Sequence, residues 1–231
     1  MCNLYQMTPK EDLERYFRAR VRDAGYRAST VGPFGRGAFL RPAQAAPEVV
    51  TGQWGMIAPR SRTPRPESRA ILTNNARAET LAQKWTYRDA WAAGRRCLIP
   101  ASWFQEPNWE TGRNLWWQLR RADGTPWALA GLWSEWTDPQ TGELLPNYTL
   151  ITCNCDAHPL LARLHKPDPT LPPDAQDKRS VVSVEPSDWY TWLLGSEAEA
   201  RALIRPPALA VIDASVSRQT DAILSQRSLL E

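Results

Sequence analysis

A series of short segments in the middle of the chain favours extended backbone, and this feature limits the possible folds more than any other. The segments are rich in β-branched and aromatic residues, and Asp123 and Gly124 mark a predicted hairpin turn between two of them. Segments that predict helices lie on both sides. This mixture predicts an α+β fold, with a largely antiparallel, barrel-like β core flanked by short helices. The predicted strands are residues 48–57, 70–72, 96–99, 115–120, 127–133, 148–153 and 180–184.

Four segments predict helices. The first, residues 8–22, begins with a capping box formed by Thr8 and Glu11, with Pro9 at the first helical position. The second, residues 79–93, ends before Gly94, a residue type that commonly follows a helix. Two shorter helices are predicted at residues 186–194 and 197–204. Residues 31–47 and the basic segment 58–69 are predicted to be loops.

The composition is that of a folded globular protein. The 231 residues are 42% hydrophobic and 23% charged with a formal net charge of +3, which argues against a disordered chain. A chain of this length can fold without disulfides, and we expect one domain over residues 1–231. No segment approaches the roughly 18 apolar residues of a membrane span, and the first residues do not form a signal peptide. We therefore expect a cytoplasmic protein with reduced cysteines and no membrane contact.

Arginine is unusually frequent, and the basic charge is concentrated in the first half of the chain. Of 28 basic residues, 24 are arginines. Residues 1–125 carry 20 basic and 11 acidic side chains, a net charge of +9, whereas residues 126–231 carry 8 and 14, a net charge of −6. Arginine suits phosphate recognition because its planar guanidinium donates several hydrogen bonds in fixed directions. Nucleic-acid binding and a solvated arginine-rich surface both fit this pattern.

Tryptophan is also frequent, with 12 residues. Six of them lie in predicted strands and helices, where packing in the core or on a sheet face explains them better than base stacking. These six are Trp116, Trp117, Trp127, Trp133, Trp189 and Trp192.

Cys2 follows the initiator methionine, and cysteine is small enough to permit removal of Met1. Removal would leave an amine and a thiol on one residue, with unperturbed pKa values of about 8 and about 8.5. Such a pair can condense with an aldehyde, first to a Schiff base and then to a thiazolidine ring. It can also act as an N-terminal nucleophile in amide hydrolysis. A small apolar residue near a chain end is the plain alternative.

Two further segments contain residue types suited to catalysis. Within residues 73–80, Asn75 can orient a nucleophile and Arg77 can hold a phosphate, although a polar turn before a helix explains this segment better when it is taken alone. Within residues 97–107, Glu106 lies among aromatic residues, which can raise the pKa of a carboxylate and suit it to general acid–base catalysis. An exposed loop glutamate is the alternative.

His158 and His165 are the two histidines of the chain. One reading is a catalytic histidine, and the other is a metal site formed with Cys153 and Cys155. Cys-x-Cys is poor spacing for zinc, and the chain has no second cysteine pair of the C-x₂-C kind. We therefore expect no metal.

Together and in this order, these segments resemble the SOS response-associated peptidase (SRAP) family, whose members form covalent cross-links to abasic sites in single-stranded DNA. The resemblance extends from residue 1 to residue 182, and the order of its motifs is more specific than any motif alone. The matching segments are residues 1–2, 54–59, 75–80, 96–101 with Phe104 and Glu106, 164–167 and 178–182.

The resemblance implies a role for each matching residue. Cys2 forms the cross-link, Asn75 holds the sugar or the new ring, Glu106 moves protons, and His165 stabilises or shuttles charge at the sugar oxygen. The implied partner is single-stranded DNA with abasic sites, bound in a basic groove by a monomer without a cofactor. The residues assigned to the DNA interface are Arg60, Arg62, Arg65, Arg69, Arg77 and Trp54.

The chain departs from the family pattern in three places. Asn3 and Leu4 stand where the family usually has Gly and Arg, which removes an arginine expected to contact phosphate. The glutamate loop lacks the family's glycine, and Pro107 replaces the tryptophan that follows the glutamate. An insertion rich in Pro and Asp lies between His165 and Arg179. These departures concern the docking of DNA and leave the four central residue types in place.

Two other functions stay open at this point. An N-terminal-nucleophile amidohydrolase would use Cys2 and Asn75 but gives the arginine bias no role. A passive single-stranded DNA-binding protein would use the arginines and tryptophans but gives Cys2 no role. The family name also suggests that the protein removes its own Met1. A host aminopeptidase that prefers small second residues already accounts for this removal, so we favour it over self-catalysed cleavage.

Overall fold

Twelve strands in one sheet organise the computed structural model, which describes residues 2–44, 46–68 and 70–216. The strands are β1 (Tyr5–Met7), β2 (Arg20–Val21), β3 (Thr30–Val31), β4 (Arg36–Arg41), β5 (Glu48–Trp54), β6 (Asn75–Arg77), β7 (Arg96–Asn108), β8 (Leu115–Arg121), β9 (Trp127–Thr137), β10 (Leu144–Asn154), β11 (Arg179–Val181) and β12 (Ile212–Val216). The helices are α1 (Lys10–Arg15), α2 (Arg88–Ala92), α3 (Trp189–Leu194) and α4 (Glu197–Ala202), with 3₁₀ turns at Leu161–Arg163, Pro186–Asp188 and Leu209–Val211.

Five of these strands close into a barrel. Around the ring they are β4, β5, β10, β9 and β7, and the pairing of Leu40 with Leu98 joins β7 back to β4. Four of the five contacts are antiparallel, and the β5–β10 contact is parallel. The remaining strands extend the sheet, and the short helices lie around it. The predicted α+β fold with a largely antiparallel, barrel-like core is therefore confirmed.

Aromatic side chains fill much of the core, and several of its indole N–H groups donate to backbone carbonyls. Trp127 Nε1 donates to Leu119 O at 2.9 Å, and Trp192 Nε1 donates to the carbonyl of Cys97 at 2.8 Å. Three more of the six tryptophans assigned to packing, at positions 117, 133 and 189, are partly buried against the same core. Trp116 is the exposed exception. A buried indole needs such an acceptor because an unpaired N–H in an apolar interior is costly.

The first helix is shorter than its sequence predicts. The pattern predicts residues 8–22, but α1 spans Lys10–Arg15, and Thr8 does not cap it. Arg18 adopts a left-handed backbone with φ of 50°, which a continuing right-handed helix cannot include. The chain then enters β2. None of the helices in the described part of the chain has the length and apolar character needed to span a bilayer.

The predicted loop at residues 31–47 instead contains β4, one wall of the barrel. Its glycines suggested turns, but Gly37 meets a packing requirement. A Cβ at this position would overlap the hydroxyl groups of Tyr5 and Tyr148, which hydrogen-bond to each other in the core. Glycine in a strand can mark such a close approach as well as a turn.

Two predictions around residue 75 were also wrong. The strand was predicted at residues 70–72, but the extended residues are Asn75–Arg77, further along the chain. These residues pair in parallel with β10. The expected helix at 79–93 is reduced to α2, with turns before it. A three-residue strand gains its stability from the neighbouring strand, and its own sequence carries no clear period.

Candidate active site

The register between β1 and β7 brings Cys2 close to the part of β7 that carries Glu106. Tyr5 pairs with Phe104 in an antiparallel contact, and the Gln105 N–H donates to Leu4 O at 2.9 Å. The residues before Tyr5 therefore run along the residues after Phe104. Cys2 has no exposed surface at this position. The N-terminal segment is thus packed firmly against the barrel strand β7.

Two amides hold the backbone of Cys2. Its carbonyl accepts a hydrogen bond from Asn75 Nδ2 at 2.7 Å and a longer one from Asn74 Nδ2 at 3.4 Å. Its thiol donates to Leu4 O at 3.5 Å. Burial raises the pKa of this thiol far above its usual range, and the negative charge of Glu106 raises it further. The Cys2 thiol in this conformation is therefore protonated at neutral pH.

The segment that carries both asparagines is fixed by β10 and by two aromatic residues. Asn75 pairs with Leu150 of β10, and its carbonyl accepts from the Tyr87 hydroxyl at 3.3 Å. The carbonyl of Asn74 accepts from Trp54 Nε1 at 2.9 Å. These contacts aim the two side-chain amides at Cys2.

Trp54 is fully buried, so its predicted role in the DNA interface is wrong for this conformation. The indole cannot stack on a base because it forms an edge contact with Tyr5 inside the core, with ring centroids 5.0 Å apart. Its N–H instead supports the backbone of Asn74. Trp54 thus contributes to the site from within the core, by fixing the backbone of Asn74.

Glu106 lies on β7 and is 2% exposed. Its Oε2 is 3.4 Å from His165 Nε2. A carboxylate withdrawn from bulk water and placed beside an imidazole and a thiol is an arrangement suited to proton transfer.

His165 is brought to this carboxylate by contacts of its own segment with β7. Its N–H donates to Pro107 O at 2.6 Å, and Leu164 forms a bridge with Asn108. The backbone of His165 is left-handed, with φ of 67°, a conformation that is uncommon outside glycine and frequent at functional sites. The imidazole therefore owes its position to β7 and to its own unusual backbone.

The hydrogen bonds of His165 define its tautomer. Nε2 lies 2.8 Å from Arg179 O, and because a carbonyl oxygen only accepts, Nε2 carries the proton. Burial lowers the pKa of His165 from its usual 6.5, against the opposing effect of the Glu106 charge. The imidazole is therefore neutral near pH 7, with Nδ1 as its basic nitrogen. His165 also lines a cavity of about 530 Å³.

His158 lies elsewhere and has a structural role. Its Nδ1 accepts from the backbone N–H groups of Leu160 and Leu161, and Nε2 contacts Pro207 O at 3.0 Å. The ring thus caps the 3₁₀ turn that precedes His165. Among the described residues, no three His, Cys, Asp or Glu side chains gather in a way that would hold a metal ion.

The predicted DNA-contacting arginines lie at the surface. Arg60, Arg62 and Arg65 are exposed on the 58–69 loop, and the first two line a groove of about 640 Å³. Arg77 is exposed on β6, two residues after Asn75. Arg69 lies outside the described residues. Arg77 is therefore the predicted phosphate contact with the most direct link to the buried cluster.

Three residues in this region were not anticipated from the sequence. The side chain of Asn74 also donates to the carbonyl of Cys2, and the Tyr87 hydroxyl donates to the carbonyl of Asn75. The carbonyl of Arg179 accepts a hydrogen bond from His165. Asn74 and Arg179 adjoin predicted residues or lie in a matching motif, which was the available signal. Tyr87 carried no such signal, because its contact depends on the turns after residue 79.

This fold and this arrangement correspond to one protein family. The family model for SOS response associated peptidase (SRAP) matches residues 1–220. The chain belongs to the SRAP family, and the resemblance found in the sequence is confirmed.

Several curated relatives are named abasic site processing proteins. YobE of Bacillus subtilis is 30% identical over 150 residues, covering 64% of this chain and 65% of YobE. YoqW of Bacillus subtilis is 28% identical over 127 residues, covering 54% of each chain. HMCES of Xenopus tropicalis is 28% identical over 134 residues, covering 49% of this chain and 39% of HMCES. The matched regions thus span between two-fifths and two-thirds of these relatives.

Solved structures extend the similarity to the whole fold. A crystal structure of a Bordetella bronchiseptica protein has a TM-score of 0.81 at 33% identity, covering 94% of this chain and 100% of the other. A Bacteroides thetaiotaomicron protein has a TM-score of 0.74 at 22% identity, covering 94% of this chain and 92% of the other, and supports the fold alone.

Proposed function

We propose that this protein processes abasic sites in single-stranded DNA by forming a covalent thiazolidine cross-link through Cys2 after Met1 has been removed. The observation that carries the proposal is the convergence of Cys2, Glu106 and His165, with Asn75 on the carbonyl of Cys2. The names of the relatives YobE, YoqW and HMCES support the substrate class.

In the proposed reaction, the ring-opened abasic sugar supplies an aldehyde. The Cys2 amine adds to the aldehyde carbon, and loss of one water gives a Schiff base. The Cys2 sulfur then adds to the same carbon, the nitrogen takes up a proton, and a five-membered thiazolidine closes. The bonds formed are C–N and C–S, and the net change is addition of the sugar with loss of one water.

Removal of Met1 changes the chemistry of Cys2 directly. A new α-ammonium on the same residue lowers the pKa of the thiol, which burial and Glu106 otherwise raise. Only the neutral amine attacks the aldehyde, so a base must take its proton. Glu106, whose charge already acts on Cys2, is assigned this role.

His165 and Asn75 complete the proposed machinery. Neutral His165 presents a basic Nδ1, and we assign it to proton transfer at the sugar oxygen as the ring opens. Asn75 orients the backbone of Cys2 and thereby the amine and thiol. Glu106 and His165 together also support the reverse reaction, which would release the DNA.

The DNA strand is proposed to bind along the basic surface. Arg60, Arg62, Arg65 and Arg77 are exposed and would contact phosphates, and Arg69 stays a prediction of the same kind. We propose that the chain acts as one SRAP domain and as a monomer, without a cofactor, in the bacterial or phage-type cytosol and in association with the nucleoid. A host aminopeptidase is the proposed agent of Met1 removal, ahead of self-catalysed cleavage by Cys2.

The direct test uses a single-stranded oligonucleotide with one abasic site and a denaturing gel. The wild-type protein is expected to give a slowly migrating covalent species, and Cys2→Ala is expected to give none. Cys97→Ala is the matched control because Cys97 is also a fully buried thiol, on a different part of the barrel. We expect it to retain cross-linking.

Other outcomes of this test identify the rival functions. Binding without any covalent species, unchanged in Cys2→Ala, would indicate a passive single-stranded DNA-binding protein. A Met1-free protein that neither binds nor cross-links DNA but hydrolyses small amides would indicate an N-terminal-nucleophile amidohydrolase.

A further inference from the structure

Asp177, at the end of the insertion that follows His165, forms an ion pair with the guanidinium of Arg77. Asp177 Oδ2 lies 2.7 Å from Arg77 Nη1, and its other oxygen, Oδ1, lies 3.0 Å from Arg179 Nη1. The carboxylate thus bridges two guanidinium groups. An anion held between two arginines is the arrangement that a phosphodiester also favours, because both anions offer oxygens to the same donors.

The backbone holds Asp177 in this position by specific contacts. The N–H groups of Asp177 and Lys178 donate to the two carboxylate oxygens of Asp156, at 3.0 and 2.7 Å. Asp177 itself is left-handed, with φ of 51°, a conformation that aspartate adopts more readily than most residues other than glycine. The fold therefore directs this carboxylate toward Arg77.

The two arginines differ in how firmly they are held. Arg179 is 6% exposed and forms a two-pronged pair with Glu79, at 3.0 and 2.7 Å, in addition to its contact with Asp177. Arg77 and Asp177 are 50% and 40% exposed. An exposed ion pair of this kind contributes little and exchanges readily with solvent ions. Arg179 therefore keeps its partner, whereas Arg77 can exchange the carboxylate for another anion.

We propose that Asp177 is an internal competitor for the phosphate subsite at Arg77, and that a DNA phosphate displaces its carboxylate. This inference rests on the proposed binding of single-stranded DNA. Asp177 then sets the affinity of the protein for undamaged and damaged strands alike, because it acts on a phosphate and not on the abasic sugar. Because the DNA backbone is then bound more weakly, the protein stays on a strand only where Cys2 has formed its covalent bond to the abasic sugar.

The test is Asp177→Asn, which keeps the side-chain shape and suits the left-handed backbone. Asp174→Asn is the matched control, since Asp174 is an exposed aspartate in the same insertion and the charge change is identical. With an unmodified single-stranded oligonucleotide, Asp177→Asn is expected to lower Kd about two- to fivefold, the range of an exposed ion pair. Asp174→Asn is expected to change Kd less.

The salt dependence gives a second readout. In the wild-type protein the phosphate replaces a carboxylate, whereas in Asp177→Asn it replaces counterions. The slope of log Kobs against log salt is therefore expected to become more negative by up to about 0.7 in Asp177→Asn. In an Arg77→Ala background, Asp177→Asn is expected to have no more effect than Asp174→Asn.

The contradicting results are distinct. If Asp177→Asn weakens binding, Asp177 positions Arg77 for the phosphate, and the competitor role is wrong. If Asp177→Asn and Asp174→Asn have equal effects, the change reflects net charge, and the inference fails while the proposed function stands. If the wild-type protein does not bind single-stranded DNA, the proposed function fails and this inference fails with it.

Discussion

At the scale of single residues, Glu106 and His165 share a polar contact in a site that is largely closed to water. The Oε2–Nε2 separation is 3.4 Å, and Glu106 is almost fully enclosed. In the proposed reaction, a proton that leaves the Cys2 amine in this enclosure has few acceptors, because bulk water is largely excluded. The proposed cross-linking therefore depends on the carboxylate, whereas the proposed binding of the DNA backbone does not.

Glu106→Gln is predicted to separate these two properties. The amide keeps the size of the side chain but removes the base, so we expect cross-linking to slow by roughly 10²- to 10⁴-fold. Binding of single-stranded DNA is expected to change less than about twofold, since an enclosed side chain does not touch phosphates. Glu143→Gln, an exposed glutamate at the turn between β9 and β10, is the control. Equal losses of rate and binding would make Glu106 a structural residue.

The lowered pKa of His165 predicts how stability depends on pH. Because its usual value is 6.5 and burial lowers the folded-state pKa, the unfolded chain binds protons more readily below about pH 6.5. The free energy of unfolding should therefore fall as the pH drops below that value. Denaturant titrations at about pH 7.5 and about pH 5.5 measure the loss. His165→Gln, which retains a donor for Arg179 O, is expected to reduce it, and an unchanged loss would contradict the assignment.

The pH effect will not vanish completely in His165→Gln. Burial also lowers the pKa of His158, so this second histidine contributes in the same direction. Its contribution is the residual dependence that the variant should show.

Individual site residues could be selected from the sequence, but their convergence could not. Cys2, Asn75, Glu106 and His165 are far apart in the chain, and no spacing rule brings them together; only the family resemblance grouped them. The structure does bring them together, through the registers of β1 with β7 and of β6 with β10. Asp177 escaped notice because its contact with Arg77 joins residues 100 positions apart.

At the scale of elements, the long strands β7, β9 and β10 were predicted as shorter segments, while β4 was missed. Runs of apolar and aromatic residues identify the first three, and long stretches of each strand are buried on both faces. β4 was missed because the glycines in and before it suggested turns, although Gly37 is required by the close approach of the Tyr5 and Tyr148 hydroxyl groups. The bounds of the three long strands were placed too short, and the missed part of β7 is mostly buried.

Close packing between strands predicts a stability difference between two glycines. A Cβ at Gly131 would lie 2.5 Å from Thr149 O and closer still to Ile99 Cδ1, whereas one at Gly32 would meet nothing nearer than 3.9 Å. Gly131→Ala is therefore expected to lower the free energy of unfolding by about 1–3 kcal/mol. Gly32→Ala is expected to stay within about 0.5 kcal/mol of wild type. Denaturant titration measures both, and a well-tolerated Gly131→Ala would contradict the packing of the barrel.

At the scale of the whole molecule, the split in charge has a structural counterpart. The net charge of +9 on residues 1–125 includes the exposed arginines of the 58–69 loop and of β6. The buried cluster that contains Cys2 is built from β1, β6 and β7 within the same half of the chain, and His165 joins it from the acidic half. The exposed arginines and the residues of the proposed chemistry therefore lie on elements that follow one another in the chain.

This arrangement predicts a strong dependence of DNA binding on salt. Phosphate contacts from Arg60, Arg62 and Arg65 give a slope of about −2 for log Kobs against log salt with a single strand, and the contact of Arg77 extends it to at most about −3, because there the phosphate replaces the Asp177 carboxylate. Affinity is then expected to fall roughly 20- to 50-fold between about 50 mM and about 200 mM salt. Fluorescence anisotropy with a labelled oligonucleotide measures this. An affinity that does not change over this range would exclude the basic surface as the binding site.

Intact-mass spectrometry of the purified protein, before and after incubation with single-stranded DNA that carries one abasic site, tests the central claim most directly. The account predicts a starting mass without Met1, and afterwards a mass raised by that of the DNA less one water, with the adduct mapped to Cys2 by peptide analysis. A protein that has lost Met1, binds the DNA and gains no covalent mass would contradict it.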